Sequence, residues 1–317
     1  MRAFTVTGKE QAGLSERPVP MPQEGQALLR IEACGLNFAD LLMVKGTYQD
    51  TPETPFVPGM EVCGVVEDLG PNTKGPAPGT RVAVFGGSGG LAQKGVFPAA
   101  HCVPVPDDMP AEIAAGFIVA YSTSHVALSH RARLLKGERL AVLGAAGGVG
   151  LTAVELGAQM GAEVIAIARG DDKLAVAKEA GAHHLVDAKG DIRADLKALG
   201  GVDVLYDAVG GDPLRAALRA LRPEGRALLI GFASGDVPQL AANHLLVKNI
   251  DAIGFYWGGY LTFRPKIVLD SIAALFDMYG RGDLRPHVSH VLPLEEVAEA
   301  MDLIRSRRST GKVVVSI

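Results

Sequence analysis

Apolar residues in the first ~115 positions come in short runs, Ala27–Ala33, Glu61–Asp68, Arg81–Phe85 and His101–Val105, broken by turn formers such as Pro76-Ala77-Pro78-Gly79. Runs of this length between Gly and Pro punctuation predict an irregular, mostly β module, opened by a strand at Met1–Val6. From about Tyr121 to Tyr256 the texture changes. Strand-like runs at Arg139–Leu143, Glu163–Ala168, His184–Asp187, Val202–Asp207, Arg226–Gly231 and Ile250–Phe255 alternate with helical patterns. In Gly148–Met160, for instance, Leu151, Val154 and Ala158 mark one helix face and Ala153, Leu156 and Met160 the neighbouring one. Regular alternation predicts a parallel sheet covered on both sides, and six strands is the count of a complete doubly wound sheet. The tail reads as an amphipathic helix at Pro265–Tyr279, a strand at His287–Leu292, a helix at Leu294–Ser306 and a closing strand at Lys312–Ile317.

A chain of 317 residues, 48% hydrophobic and 21% charged, suits two globular domains with a sizeable core. A net charge of −4 leaves no basic footprint for nucleic acid or an acidic membrane, so the expected partner is a small molecule. Met1–Val6 is no secretory signal, and no apolar stretch approaches the ~20 residues of a membrane span. The three cysteines, Cys34, Cys63 and Cys102, lack metal-ligand spacing and suit buried thiols in a reducing cytoplasm.

The most specific local pattern is Gly144-Ala145-Ala146-Gly147-Gly148-Val149-Gly150, placed between an apolar strand and an amphipathic helix. Without β-carbons a backbone can approach a pyrophosphate, and a helix N-terminus offers free N–H groups and a positive dipole end. Ala146, Gly147, Gly148 and Val149 are therefore expected to bind a dinucleotide; the alternative is a tight turn with no ligand. A nucleotide-hydrolase loop is excluded, because Leu151-Thr152 stand where Lys-Ser/Thr is needed. The second strand of the α/β region ends in Ala168, followed by Arg169 and then Lys173, with no carboxylate at the strand end. A guanidinium there can clamp a 2′-phosphate, which favours NADPH over NADH. Asp171 and Asp172 lie close by, and Arg169 and Lys173 could equally be ordinary solvated charges.

Together with this loop, Ala33-Cys34-Gly35-Leu36-Asn37-Phe38-Ala39-Asp40, Val57-Pro58-Gly59-Met60-Glu61 and Asp207-Ala208-Val209-Gly210-Gly211 make the chain resemble the medium-chain dehydrogenase/reductase superfamily. The quinone oxidoreductase (zeta-crystallin-like) branch is the best match, with Glu155 where that branch usually has Gln. The resemblance implies an α/β fold, a Rossmann doubly wound parallel sheet plus a discontinuous GroES-like, mostly β catalytic domain. The expected boundaries are 1–119 and 258–317 for the catalytic domain and 120–257 for the NADPH-binding domain, with the nicotinamide in the cleft between them. Zinc-dependent members carry Cys, His and Cys ligands; at the matching positions stand Asn37, Met60 and Val119, and Phe38 and Ala39 replace the proton-relay residues. Gly86–Ala100 contains no cysteine for a structural zinc. An amide, a thioether and an alkyl group do not make a tetrahedral zinc site, so no metal is expected.

Reduction then rests on holding an acceptor over the nicotinamide and on hydrogen bonds to the oxygen that gains charge. The resemblance nominates Tyr48 and Asn37 as catalytic. It places Tyr48, Thr123, Gly231 (in Ile230-Gly231-Phe232) and Phe255-Tyr256-Trp257 around the cofactor. Packing aromatics and turn residues are the competing reading of these positions, and Asp40 reads as a structural anchor. His125, His130, His183 and His184 show no partner pattern. Three functions follow: NADPH-dependent quinone reduction, reduction of α,β-unsaturated thioesters, ketones or aldehydes, and non-catalytic NADPH binding. A homodimer or homotetramer is implied by the family.

Overall fold

The computed structural model describes all 317 residues and divides into two compact units, Met1–Val119 with Pro286–Ile317, and Ala120–Arg285. In chain order the first unit opens with β1 (Arg2–Gly8), β2 (Gln11–Glu16), β3 (Gln26–Leu36), α1 (Phe38–Lys45), β4 (Glu61–Leu69), β5 (Arg81–Phe85), β6 (Lys94–Pro98), β7 (Cys102–Pro104) and α2 (Ala111–Ala114). After α3 (Ile118–His125), the second unit runs through β8 (Arg139–Leu143), α4 (Gly148–Gln159), β9 (Glu163–Ala168), α5 (Asp171–Glu179), β10 (His184–Asp187) and α6 (Ile192–Ala198). It continues with β11 (Val202–Asp207), α7 (Gly211–Leu218), β12 (Leu221–Leu229), α8 (Ala242–Lys248), β13 (Asp251–Gly254), α9 (Trp257–Phe263) and α10 (Pro265–Gly280). β14 (Val288–Pro293), α11 (Val297–Arg305) and β15 (Lys312–Ser316) return to the first unit.

The first unit is built on β3, which pairs antiparallel with β4, β6 and β15 in a sheet ordered β14-β15-β3-β4-β5-β7. Leu29, Ile31, Val62, Val82, Val84 and Phe97 pack in one core with Val297, Ala300 and Met301 of α11. β15 lies between β14 and β3, so Val313, Val314 and Val315 are buried whichever way they point. That position explains why its sequence reads as a continuous apolar run rather than an alternating one.

The second unit holds six parallel strands ordered β10-β9-β8-β11-β12-β13. Strand order reverses between β8 and β11, and it is outside such a reversal, at the carboxyl ends, that open α/β sheets bind ligands. Ala141, Leu143, Ile165, Ile167, Leu205 and Ala227 pack under Leu196, Leu214 and Ala217 from the covering helices.

One boundary differs from expectation. Residues 258–285 belong to the α/β unit and not to the β module. The α10 residue Ser271 is buried, its Oγ 3.2 Å from Ser122 Oγ and 2.9 Å from His125 Nδ1, both on α3. Trp257 Nε1 donates to the same Ser122 hydroxyl at 3.0 Å. Helical periodicity shows that α10 buries a face; it carries no information about which layer receives that face. His125, partnerless in the sequence, is part of this lock, and burial pushes its imidazole below the usual range toward the neutral form.

Candidate active site

At the end of β8 the amides of Gly144 and Ala145 both donate to the Ile167 carbonyl, at 3.1 and 3.2 Å, fastening the turn to β9. Gly147 N–H closes the turn on Gly144 O at 2.9 Å, and α4 starts at Gly148. The amides of Gly148, Val149 and Gly150 have no acceptor within the chain, as expected for the first turn of a helix, and leave a cradle of N–H groups at a positive dipole end. Two glycines are sterically required. Gly144 sits at φ 73°, and a β-carbon on Gly150 would lie 2.1 Å from Gly144 O. Ala146 packs with Ala168 and Leu174, which brings the end of β9 against the turn. Arg169 follows there, exposed, its guanidinium paired with no carboxylate of the chain, although Asp171 and Asp172 open α5 beside it. Lys173 is half-buried in the same helical turn.

Behind the turn, α3 and α4 are joined by hydroxyls. Ser124 Oγ lies 2.8 Å from Val149 O, 2.8 Å from Thr152 Oγ1 and 3.0 Å from Tyr206 OH. Thr123, the preceding residue on α3, is buried. Glu155 is more than a conservative departure on α4: its carboxylate accepts Tyr121 OH at 2.5 Å and Arg285 N–H at 2.6 Å, and burial raises its pKa. At the end of β11, Asp207 is fully buried and accepts the amides of Val209 and Gly210 at 2.8 and 3.0 Å. Burial pushes its carboxyl up to about 6, those two amides pulling the other way. Gly231, beyond β12, donates to Asp207 O at 3.3 Å. Phe255, beyond β13, is buried against Tyr260 with centroids 5.5 Å apart, whereas Tyr256 is exposed. The sheet thus brings Ala146–Val149, Arg169, Gly231 and Phe255–Tyr256 to one carboxyl edge, while the Trp257 indole N–H is committed inward.

In the first unit Tyr48 is half-buried and packs with Val6, Met43, Phe56 and Met60. Asn37 precedes α1, and its side chain is fully engaged. Nδ2 donates to Gly35 O at 3.3 Å and Glu61 Oε2 at 3.0 Å, and Oδ1 accepts Lys312 Nζ at 2.9 Å. Asp40, buried, accepts the amides of Asn37 at 2.8 Å and Gly59 at 3.1 Å, which is the anchoring role its position suggests; burial raises its carboxyl to about 6. Among Asn37, Met60 and Val119 only a neutral amide, a buried thioether and an alkyl group are offered, and no three His, Cys, Asp or Glu residues converge to hold a metal. Zinc does not fit this donor set. Lys312 has no assigned role in the sequence, where it closes the Thr310-Gly311-Lys312 segment of the family resemblance and heads the apolar strand Val313-Val314-Val315.

Residues 23–107 match the alcohol dehydrogenase GroES-like domain and residues 148–273 the zinc-binding dehydrogenase family. Quinone oxidoreductase-like protein 2 of Bos taurus is 36% identical over 308 residues, covering 95% of this chain and 88% of that one. The synaptic vesicle membrane protein VAT-1 homolog of Homo sapiens is 32% identical, covering 99% of this chain and 86% of its own length. The quinone oxidoreductase of Thermus thermophilus, solved also as its complex with NADPH, superposes with a TM-score of 0.89 at 34% identity, covering 100% of both chains.

Two outcomes follow from this geometry. Gly150→Ala must displace the turn backbone, so it is expected to lower stability by about 1–3 kcal/mol and to weaken dinucleotide binding; calorimetric titration with an unaltered affinity would refute the cradle. Asp207 carries a folded-state pKa above its unfolded value, so between about pH 4 and pH 6 the native state binds the proton that the unfolded chain has released. Stability from this group is therefore lost as pH rises through that window. Urea titrations should show the stability difference between wild type and Asp207→Asn moving toward the variant by roughly 2 kcal/mol from pH 4 to pH 7; a flat difference contradicts the assignment.

Proposed function

The chain belongs to the medium-chain dehydrogenase/reductase superfamily, in its quinone oxidoreductase branch, and from that premise we propose that it is a zinc-independent, NADPH-dependent reductase of quinones. The observation that carries the reading is the pairing of three unsatisfied amides at the start of α4 with an unpaired Arg169 at the end of β9. The amides and helix dipole answer the pyrophosphate, and the guanidinium answers a 2′-phosphate. Ala146, Gly147, Gly148, Val149, Arg169 and Lys173 would hold the phosphorylated half of the cofactor. Thr123, Gly231, Phe255 and Tyr256 would border the ring, with Trp257 anchoring the segment that carries them. When bound, NADPH supplies a hydride; with one proton it converts a quinone to a hydroquinone. Tyr48 is proposed to donate a hydrogen bond or proton to the acceptor oxygen, and Asn37 to border acceptor and ribose.

Steady-state oxidation of NADPH with benzoquinones, naphthoquinones and a crotonyl thioester tests this. Turnover is expected with the quinones; faster turnover of the thioester would make the protein an enoyl reductase, and none with any acceptor a non-catalytic binder. Arg169→Ala should raise KM for NADPH by about tenfold and leave that for NADH unchanged. Tyr48→Phe should lower kcat by roughly a hundredfold; unaltered rates remove each role.

The same reading includes a homo-oligomer. β13 pairs only with β12, and Asp251, Ala252 and Gly254 on it are exposed, as are Leu246 and Val247 on α8. An open strand edge is a template for a second copy. Sedimentation equilibrium is expected to return two or four chain masses, and a single-chain mass would reject the idea.

A further inference from the structure

Lys312 is 7% exposed and Glu61 wholly buried, so an ammonium and a carboxylate have both left water. Each is fully answered. The three ammonium protons go to Leu36 O at 3.0 Å, Asn37 Oδ1 at 2.9 Å and Glu61 Oε2 at 2.9 Å. Glu61 Oε2 also accepts Asn37 Nδ2, and Glu61 Oε1 accepts Val119 N–H at 2.8 Å. The chemistry of the partners fixes the orientation of the Asn37 amide. An ammonium only donates and must meet Oδ1; a carboxylate only accepts and must meet Nδ2. The cluster therefore joins the end of β3, the residue before α1, the first residue of β4, the first residue of β15 and Val119.

One buried ammonium meeting a backbone carbonyl, an amide oxygen and a carboxylate holds these segments to a single positive centre. We infer that Lys312 is the positioning residue of the catalytic unit: its ammonium locks the Asn37 amide and the Glu61 carboxylate so that the Leu36–Phe38 segment is presented in one arrangement.

The inference rests on the reduction proposed above, in which the Asn37 segment borders the acceptor. It is tested in the full-length protein with Lys312→Met and with the charge-balanced pair Lys312→Met/Glu61→Gln. The single substitution strands a buried carboxylate and is expected to lower Tm sharply or prevent folding. The pair removes both charges and is expected to fold. If Lys312 positions, the folded pair should lose at least tenfold in kcat for the best quinone while its KM for NADPH stays within twofold, because the phosphate cradle lies in the other unit. In protein carrying nitrogen-15 asparagine, the two Asn37 side-chain N–H signals should be protected from solvent exchange in wild type and unprotected in the pair. Retained kcat, an equal change in KM, Asn37 protection unaltered in the pair, or a pair that does not fold would each overturn the inference, the last because the cluster would then hold the fold rather than the site. If wild type itself turns over no acceptor, the proposed function fails while the Asn37 measurement still judges the positioning.

Discussion

Taking a carboxylate out of water costs several kcal/mol unless its lone pairs are answered by donors, and this chain buries four of them, Asp40, Glu61, Glu155 and Asp207. None is idle. Asp40 gathers the amides that open α1 and precede Met60; Glu61 takes the Lys312 ammonium; Glu155 takes a phenol and a backbone amide; Asp207 ties down the turn after β11. Asp40, Glu61 and Asp207 lie at or near the end of a strand or helix, where backbone groups lose their ladder partners, and Glu155 reaches out from within α4 to the Arg285 amide. The need to satisfy these buried anions shapes the loops, and the loops carry the candidate chemistry.

In the α/β unit the consequence is a carboxyl edge with little freedom. The turn after β8 is held by the Ile167 carbonyl of β9, its glycine contact with α4 is too close for any side chain, and the Ser124 hydroxyl braces α4 from behind. What this rigidity leaves unpaired is informative: the amides at the head of α4 and one guanidinium. Those are the groups that a ligand carrying a pyrophosphate and a separate phosphate would satisfy.

In the β unit the same logic runs through a buried lysine. Asn37 stands in sequence at a lost ligand position and as a catalytic candidate; in the fold its amide nitrogen and oxygen are both engaged within the chain. Its role is set by a residue 275 positions away. Trp257 shows the reverse case. Its place beside Phe255 and Tyr256 suggests a cofactor wall, yet its indole N–H is used to dock α9 on α3 through Ser122.

Period and punctuation alone determine much here. The change from short, turn-broken runs to alternating strands and helices marks the passage from β module to α/β unit, and the glycine run between an apolar strand and a helix marks the phosphate turn, because these patterns arise from local backbone geometry and one-sided burial. Three things lay beyond it: the allegiance of α9 and α10, decided by the Ser122–Ser271–His125 contact; the pairing of Lys312 with Asn37 and Glu61; and the work of Glu155. All are pairings between residues far apart in the chain, and a side chain's sequence neighbours carry no record of the partner that burial will bring to it.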